Sequence, residues 1–246
     1  MQTGGAADRA ARATERRQRQ GGGGPRAHAE FETKSEVVQR LIRQAIAIGE
    51  IKPGERLLQN ELAERLGISP TPVREALQAL IAQGVLSYAP NKGVRVVELD
   101  YPAAEEVYRI RAALEPLAVE VGAPRLSPEA LDELAGALAG MQRAARDRRL
   151  DRVKVLDHRF HFLIYDAAGA GRLHDLIEQL WALHVEDTFK LDPTRVDTSL
   201  HQHAAILTAL EDGRFADASA LTREHITSAA EIVLRSLRGQ EPNGSH

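Results

Sequence analysis

From Pro102 to about residue 238, apolar residues recur three and four positions apart, and no run alternates as a half-buried strand would. The pattern breaks only at short stretches such as Gly169-Ala170-Gly171 and Leu191-Asp192-Pro193. Helices patterned this way bury their stripes against one another, and short connections make neighbours antiparallel. The spacing predicts helices over about 102–122, 128–147, 150–168, 171–189, 195–211 and 214–238. Aromatics are only 4% of the chain, so aliphatic side chains must do most of the packing.

Residues 31–98 follow another pattern. "SEVVQRLIRQAIAI" (35–48) is amphipathic, with Ser35 placed to cap, and Gly49, Pro53 and Gly54 end it. A short helix follows over about Gln59 to Leu66, with Leu62, Ala63 and Leu66 inward and Gly67 as its stop. "GISPTPVREAL" (67–77) reads as a sharp turn into a third helix. Thr71 fits as its cap with Pro72 in the first helical position, and Ser69 is the alternative cap. Val73, Leu77, Leu80 and Ile81 form the buried face, which leaves Arg74 and Glu75 outside. Beyond Gly84, "VLSYA" and "GVRVVEL" are β-prone runs joined by "PNKG", a hairpin. Three helices and a hairpin in this order make a winged helix-turn-helix. The expected fold is therefore mostly α: an N-terminal winged helix-turn-helix followed by an all-α antiparallel bundle.

Charge follows the same division. Residues 1–30 carry six arginines against three acids and little to bury, so a disordered basic tail is expected. Residues 31–98 have a net charge of +1 and residues 99–246 of −7. The expected domains are 31–98 and 99–238, with a flexible end at 239–246. The chain has no cysteine, which excludes disulfides and thiolate metal sites. No export-type apolar core opens it and no apolar run of 18 residues occurs, so a cytoplasmic protein without a membrane span is expected.

A helix entering a major groove presents its first turn to phosphates and base edges. Thr71 can donate to a phosphate. Arg74 can bond both acceptors of a guanine, a pairing that contributes roughly 1–3 kcal/mol of discrimination. Arg56, Asn60 and Arg65 stand where phosphate contacts are expected, and Lys92 and Arg95 sit in the wing. The alternative is that Arg74 and Glu75 are ordinary surface charges. The short preceding helix and the wing favour double-stranded DNA.

These residues carry a resemblance. "IKPGERL", "LAERLGISPTPVREAL", Leu80, "GVL" (84–86) and "NKGVRVVEL" resemble the DNA-binding domain of the GntR superfamily of bacterial transcription regulators. The resemblance implies that the helix opening at Thr71 reads an operator and that Gly93, at the wing tip, lets the turn approach DNA. Asn60 and Pro70 depart from the pattern, since many relatives have basic residues there.

The helical half holds eight of the nine histidines. Asp157 and His161 are four apart and share a face flanked by Phe160, Ile164 and Tyr165, with His158 off it. His201 and His203 point nearly opposite ways, and His203 has Ile206, Leu207 and Leu210 on its side. His225 shares a face with Leu221, Ala229 and Ile232. For any one histidine an ordinary hydrogen-bonded core or surface position is the simpler reading. Four inward groups in matching phase favour one divalent ion, and imidazole with carboxylate suits zinc, nickel, iron, manganese or cobalt.

"RAALEPLA", "DHRFHFLI", "HAAIL" with its following residues, and "REHI" resemble the FCD ligand-binding domain of the FadR subfamily. The resemblance implies that Asp157, His161, His203 and His225 hold the ion, and that the ion helps hold a small carboxylate effector, an organic acid or sugar acid. Arg111 matches a family arginine that faces the pocket; a surface salt bridge with Glu115 is the alternative. Ala170 stands where relatives commonly have Asn. A homodimer on a near-palindromic operator, most commonly acting as a repressor, is implied as well. A regulator that senses the ion itself is the second reading. A metal-dependent enzyme is the third, and no acid/base residue beside the site supports it, so no catalytic residue is expected.

Overall fold

The structure, a computed structural model, describes residues 32–183, 189, 192 and 194–240. The expected basic tail (1–30), most of the expected flexible end (239–246), and Leu191 and Pro193 of the second break lie outside the described residues. The first part comprises α1 (Lys34–Ala47), β1 (Arg56–Leu57), α2 (Gln59–Leu66), α3 (Pro70–Ala82), β2 (Leu86–Ala89) and β3 (Gly93–Val96). The second comprises α4 (Tyr101–Gly122), a 3-10 turn (Ala123–Arg125), α5 (Pro128–Arg146), α6 (Leu150–Ala167), α7 (Gly171–Ala182), α8 (Arg195–Glu211) and α9 (Phe215–Gln240). Among the described residues no strand follows Val96, and no helix is long and apolar enough to cross a membrane.

The winged helix-turn-helix is present with one addition. The two-residue strand β1 pairs antiparallel with β3, which also pairs with β2, so the wing is a three-stranded sheet in the order β1-β3-β2. Two residues are too short for periodicity to reveal. Gly67 closes α2 in the left-handed region at φ 64°, its N–H reaching Ala63 and Glu64 carbonyls. There a side chain would be strained, which fixes the turn. The cap of α3 is Ser69, with Pro70 as first helical residue, so Thr71 lies inside the helix. Likewise α1 begins at Lys34 and encloses Ser35. Leu66 is 36% exposed and Ile81 half-buried, against the inward positions expected of them; Ala76 takes the place of Ile81 in the core.

In the bundle, α4 runs through Pro116, which cannot donate to the Ala112 carbonyl one turn earlier. Arg223 of α9 donates to that carbonyl instead. Helix α7 ends at Ala182 rather than near residue 189; residues 184–188 lie outside the described residues.

Of the four hydrophobic clusters among the described residues, two are large. One gathers Val38, Ile46, Val73, Leu80, Leu86 and Val96; the other gathers Leu134, Met141, Phe160, Ile164, Ile177 and Ile206. Each includes one residue from the other part: Ala182 of α7 belongs to the first and Ala47 of α1 to the second. The two parts are thus packed on each other through α1 and α7.

Candidate metal centre and nucleic-acid interface

On α3 the side chains of Val73, Ala76, Leu77 and Leu80 are buried, and Thr71, Arg74, Glu75 and Gln78 are exposed. The exposed set recurs at three and four residues, so it is one face. Gln78 shares that face one turn after Arg74, and an amide there can bond an adenine; the sequence reading did not single it out. Arg56, Asn60, Arg65 and Lys92 are exposed as well. Arg56 lies over the wing tip: a Cβ on Gly93 would stand 3.1 Å from its Nε, and Gly93 has φ 75°. The positive φ is what favours glycine there; the exposed Arg56 side chain would only have to give way by a few tenths of an ångström. Arg95 is different. Its Nη1 donates to the Gly54 carbonyl at 2.7 Å, so it braces the wing.

In the bundle, Asp157 and His161 on α6, His203 on α8 and His225 on α9 converge, with one potential ligand atom from each within 4.8 Å of all the others. The three histidines are buried; the Asp157 side chain is 15% exposed. His203 Nε2 is 3.1 Å from His161 Nε2 and 3.2 Å from Asp157 Oδ1. His203 Nδ1 donates to the Ser199 carbonyl at 2.7 Å, an oxygen that can only accept. His225 Nδ1 is 2.9 Å from Gln202 Oε1. His161 Nδ1 is 3.2 Å from the Tyr165 hydroxyl.

A neutral imidazole protonated on Nδ1 presents Nε2 as a lone pair. The centre then consists of acceptors facing one another, and only a cation, one shared proton or one metal ion, relieves that. Burial keeps His161 neutral, pushing it down to about 3 against the pull of Asp157. Burial and the neighbouring imidazoles push His225 well below its ordinary range. For Asp157 burial favours the neutral acid, but the hydrogen bond and charge of His203, with His161 and Arg195, outweigh it and hold the carboxyl at about 2. Neutral His161 and His225 and an ionised Asp157 are forms a divalent ion binds, so the residues present fit the ion.

A small cavity of about 70 Å³ adjoins the centre, walled in part by Tyr108, Arg111, Trp181, Arg195 and His225. Arg111 faces it, its guanidinium carbon 4.6 Å from the Trp181 ring centre, and also forms an ion pair with Glu115 at 2.6 Å. That pair is buried, not at the surface as the alternative supposed: Glu115 has no exposure at all. Two buried donors in this wall lack partners, Trp181 Nε1 and Arg195 Nε.

His158 was expected off the inward face. It is off the metal centre but buried, stacked on Phe162 at 4.1 Å and edge-on to Trp181. Burial pushes its pKa down to about 4. A histidine charged more readily unfolded than folded contributes its full share above about pH 6.5, and that share is lost as pH falls towards 4. Metal-free protein is expected to lose about 2 kcal/mol from this residue between pH 7 and pH 5. Urea midpoints at the two pH values, compared with His158→Phe, check it; an equal pH dependence in the variant refutes it.

The GntR profile, bacterial regulatory proteins of the gntR family, matches residues 34–96, and the FCD domain matches residues 106–228. The chain is 31% identical over 173 residues to the uncharacterized HTH-type transcriptional regulator YdhC of Bacillus subtilis, covering 67% of this chain and 75% of that one. The chain belongs to the GntR family of transcription regulators.

Within that family, it is 37% identical over 144 residues to the HTH-type transcriptional regulator McbR of Escherichia coli, covering 58% of this chain and 65% of McbR. The alignment thus spans just under two thirds of that relative. The solved structure of E. coli McbR/YncC superposes with a TM-score of 0.70 at 29% identity, covering 85% of this chain and 99% of that one. A third relative, the probable D-xylose utilization operon transcriptional repressor of Paenarthrobacter nicotinovorans, is 31% identical over 187 residues, covering 74% and 80%. These relatives are transcription regulators and not enzymes. As a GntR-family chain with an FCD domain, the protein has the FadR-like arrangement expected of it.

Arg195, Trp181 and Gln202 surround the centre and were not singled out from the sequence, while Tyr165 was named only as flanking the inward face and Glu115 only as a surface partner of Arg111. Trp181 is the chain's one tryptophan, a signal that could have marked it. Arg195 had none, because a charged residue at a helix start is ordinarily solvated.

Proposed function

We propose that this GntR-family regulator is a cytoplasmic repressor that binds operator DNA as a homodimer. Its helical domain, residues 99–238, holds a divalent ion through Asp157, His161, His203 and His225, and a small carboxylate effector beside it. The observation that carries the reading is the buried set of converging acceptors in the same chain as a winged helix with an exposed Arg74. When bound, the ion supplies a Lewis-acidic anchor for a carboxylate. Arg111, Arg195 and the Trp181 N–H supply cationic and neutral donors around it. The partnerless donors in the cavity wall favour an effector over a regulator that senses the ion alone. Arg195 also offers a polar contact that Ala170 lacks.

The homodimer has support on the surface. Ile110 and Leu117 of α4 are 39% and 44% exposed, and Leu176 of the adjacent α7 is 50% exposed. Repression is favoured by the relative named as a repressor.

Coupling between the sites runs through α7. That helix carries Trp181 into the cavity wall. One turn earlier, Glu178 pairs with Arg43 of α1 at 2.6 Å. Arg43 Nη1 also donates to Gln83 at the end of α3, and Gln179 Nε2 donates to the Gln83 carbonyl at 2.8 Å. A ligand that moves α7 therefore moves the end of the reading helix. It shifts DNA affinity only to the extent that it binds the two arrangements differently.

The test is fluorescence anisotropy with the duplex upstream of the protein's own gene against a scrambled duplex, in the metal-loaded protein. Saturable, salt-sensitive preference for the native duplex is expected. Arg74→Ala should weaken it about 10- to 100-fold with the fold intact. Unchanged affinity in the variant removes Arg74 from the interface.

A further inference from the structure

Three imidazoles can share one ion only if each presents a lone pair towards it, and a neutral ring carries its proton on one nitrogen or the other. For His203 a backbone carbonyl makes the choice. His161 has no such carbonyl: its Nδ1 faces the Tyr165 hydroxyl at 3.2 Å. A hydroxyl donates or accepts equally well, so Tyr165 by itself leaves both tautomers open.

Glu115 removes that freedom. Its Oε2 lies 2.6 Å from the Tyr165 oxygen, and its Oε1 lies 2.6 Å from Arg111 Nε. The one phenolic proton goes to the carboxylate, because a charged acceptor makes the stronger bond. The phenolic oxygen can then only accept from His161. Nδ1 must carry the ring proton, and Nε2 is left as a lone pair 3.1 Å from His203 Nε2.

We propose that Glu115 and Tyr165 are positioning residues for the metal centre: a buried carboxylate–phenol relay that fixes His161 as the Nδ1–H tautomer and so aims Nε2 at the ion. The inference rests on the metal reading above. Glu115, Tyr165 and His161 are at most 1% exposed, so no water competes for these bonds. The outer end of the relay is Arg111, which walls the cavity, so the relay also ties the cavity's anion-facing side to a metal ligand. Partners of this kind orient ligating histidines, and their loss typically costs 10- to 100-fold in metal affinity.

The experiment has two readouts. In metal-free, ¹⁵N-labelled protein, long-range ¹H–¹⁵N spectra report the tautomer of His161. The wild type should show the Nδ1–H form alone; Tyr165→Phe and Glu115→Gln should show a mixture or the Nε2–H form. Zinc titration against a chromogenic chelator should then give about 10- to 100-fold weaker binding in Tyr165→Phe, with circular dichroism unchanged. An Nε2–H tautomer in the wild type overturns the proposal. So does a tautomer unchanged in both variants, or zinc affinity within twofold of wild type. A wild type that has the Nδ1–H tautomer but binds no zinc leaves the relay standing and refutes the metal reading instead.

Discussion

His203→Ala should abolish stoichiometric metal binding. Its Nε2 faces both His161 and Asp157, so it is the middle of the centre, and the ligands that remain are spread over α6 and α9. An ion that binds only the folded chain stabilises it by about 4 kcal/mol at a thousandfold excess over its dissociation constant. For a chain of this size that corresponds to a melting shift of roughly 8–16 °C. The variant should lose that shift, and chelator should no longer lower its melting point. Elemental analysis after dialysis and thermal melts with and without chelator check both. Metal retained at one ion per chain by His203→Ala would remove His203 from the site.

Glu178→Ala should be the most damaging change at the junction between the two parts. Arg43 Nη2 and Nε approach Glu178 Oε2 at 2.6 and 2.8 Å, with side-chain exposures of 13% and 9%. Removing the carboxylate strands a guanidinium that water barely reaches, at a cost of about 3–5 kcal/mol. Replacing both partners by apolar residues, Arg43→Met with Glu178→Leu, should restore most of the stability, because no charge is left unpaired. The double variant separates stability from communication. It should bind the operator duplex yet lose most of the difference between metal-loaded and metal-free protein. A double variant with the full wild-type difference would show that the signal does not pass through this contact.

The periodicity of the chain is local information, and local features were legible. The long helices, the Gly67 turn and the hairpin follow from spacing and backbone preference, which act within a few residues. The phases of Asp157, His161, His203 and His225 were legible for the same reason: a side chain one or two turns from a run of buried residues inherits their direction. Local rules failed where two solutions compete within a residue or two, as with Ser69 against Thr71, or where an element is as short as β1. They also failed where a neighbour decides. Leu66 is apolar yet exposed, and His158 is polar yet buried, because the surfaces opposite them come from other segments.

By itself, then, the sequence determined most of the inward stripe of each long helix and which face of α3 is left exposed. Only the tertiary structure decided what those faces meet. Glu115 meets Tyr165 across 50 residues of chain, and Arg43 meets Glu178 across 135. Hydrogen bonds and ion pairs between helices depend on the register in which the helices pack. That register is set by the shapes of both surfaces together, a quantity that no single stretch of sequence contains.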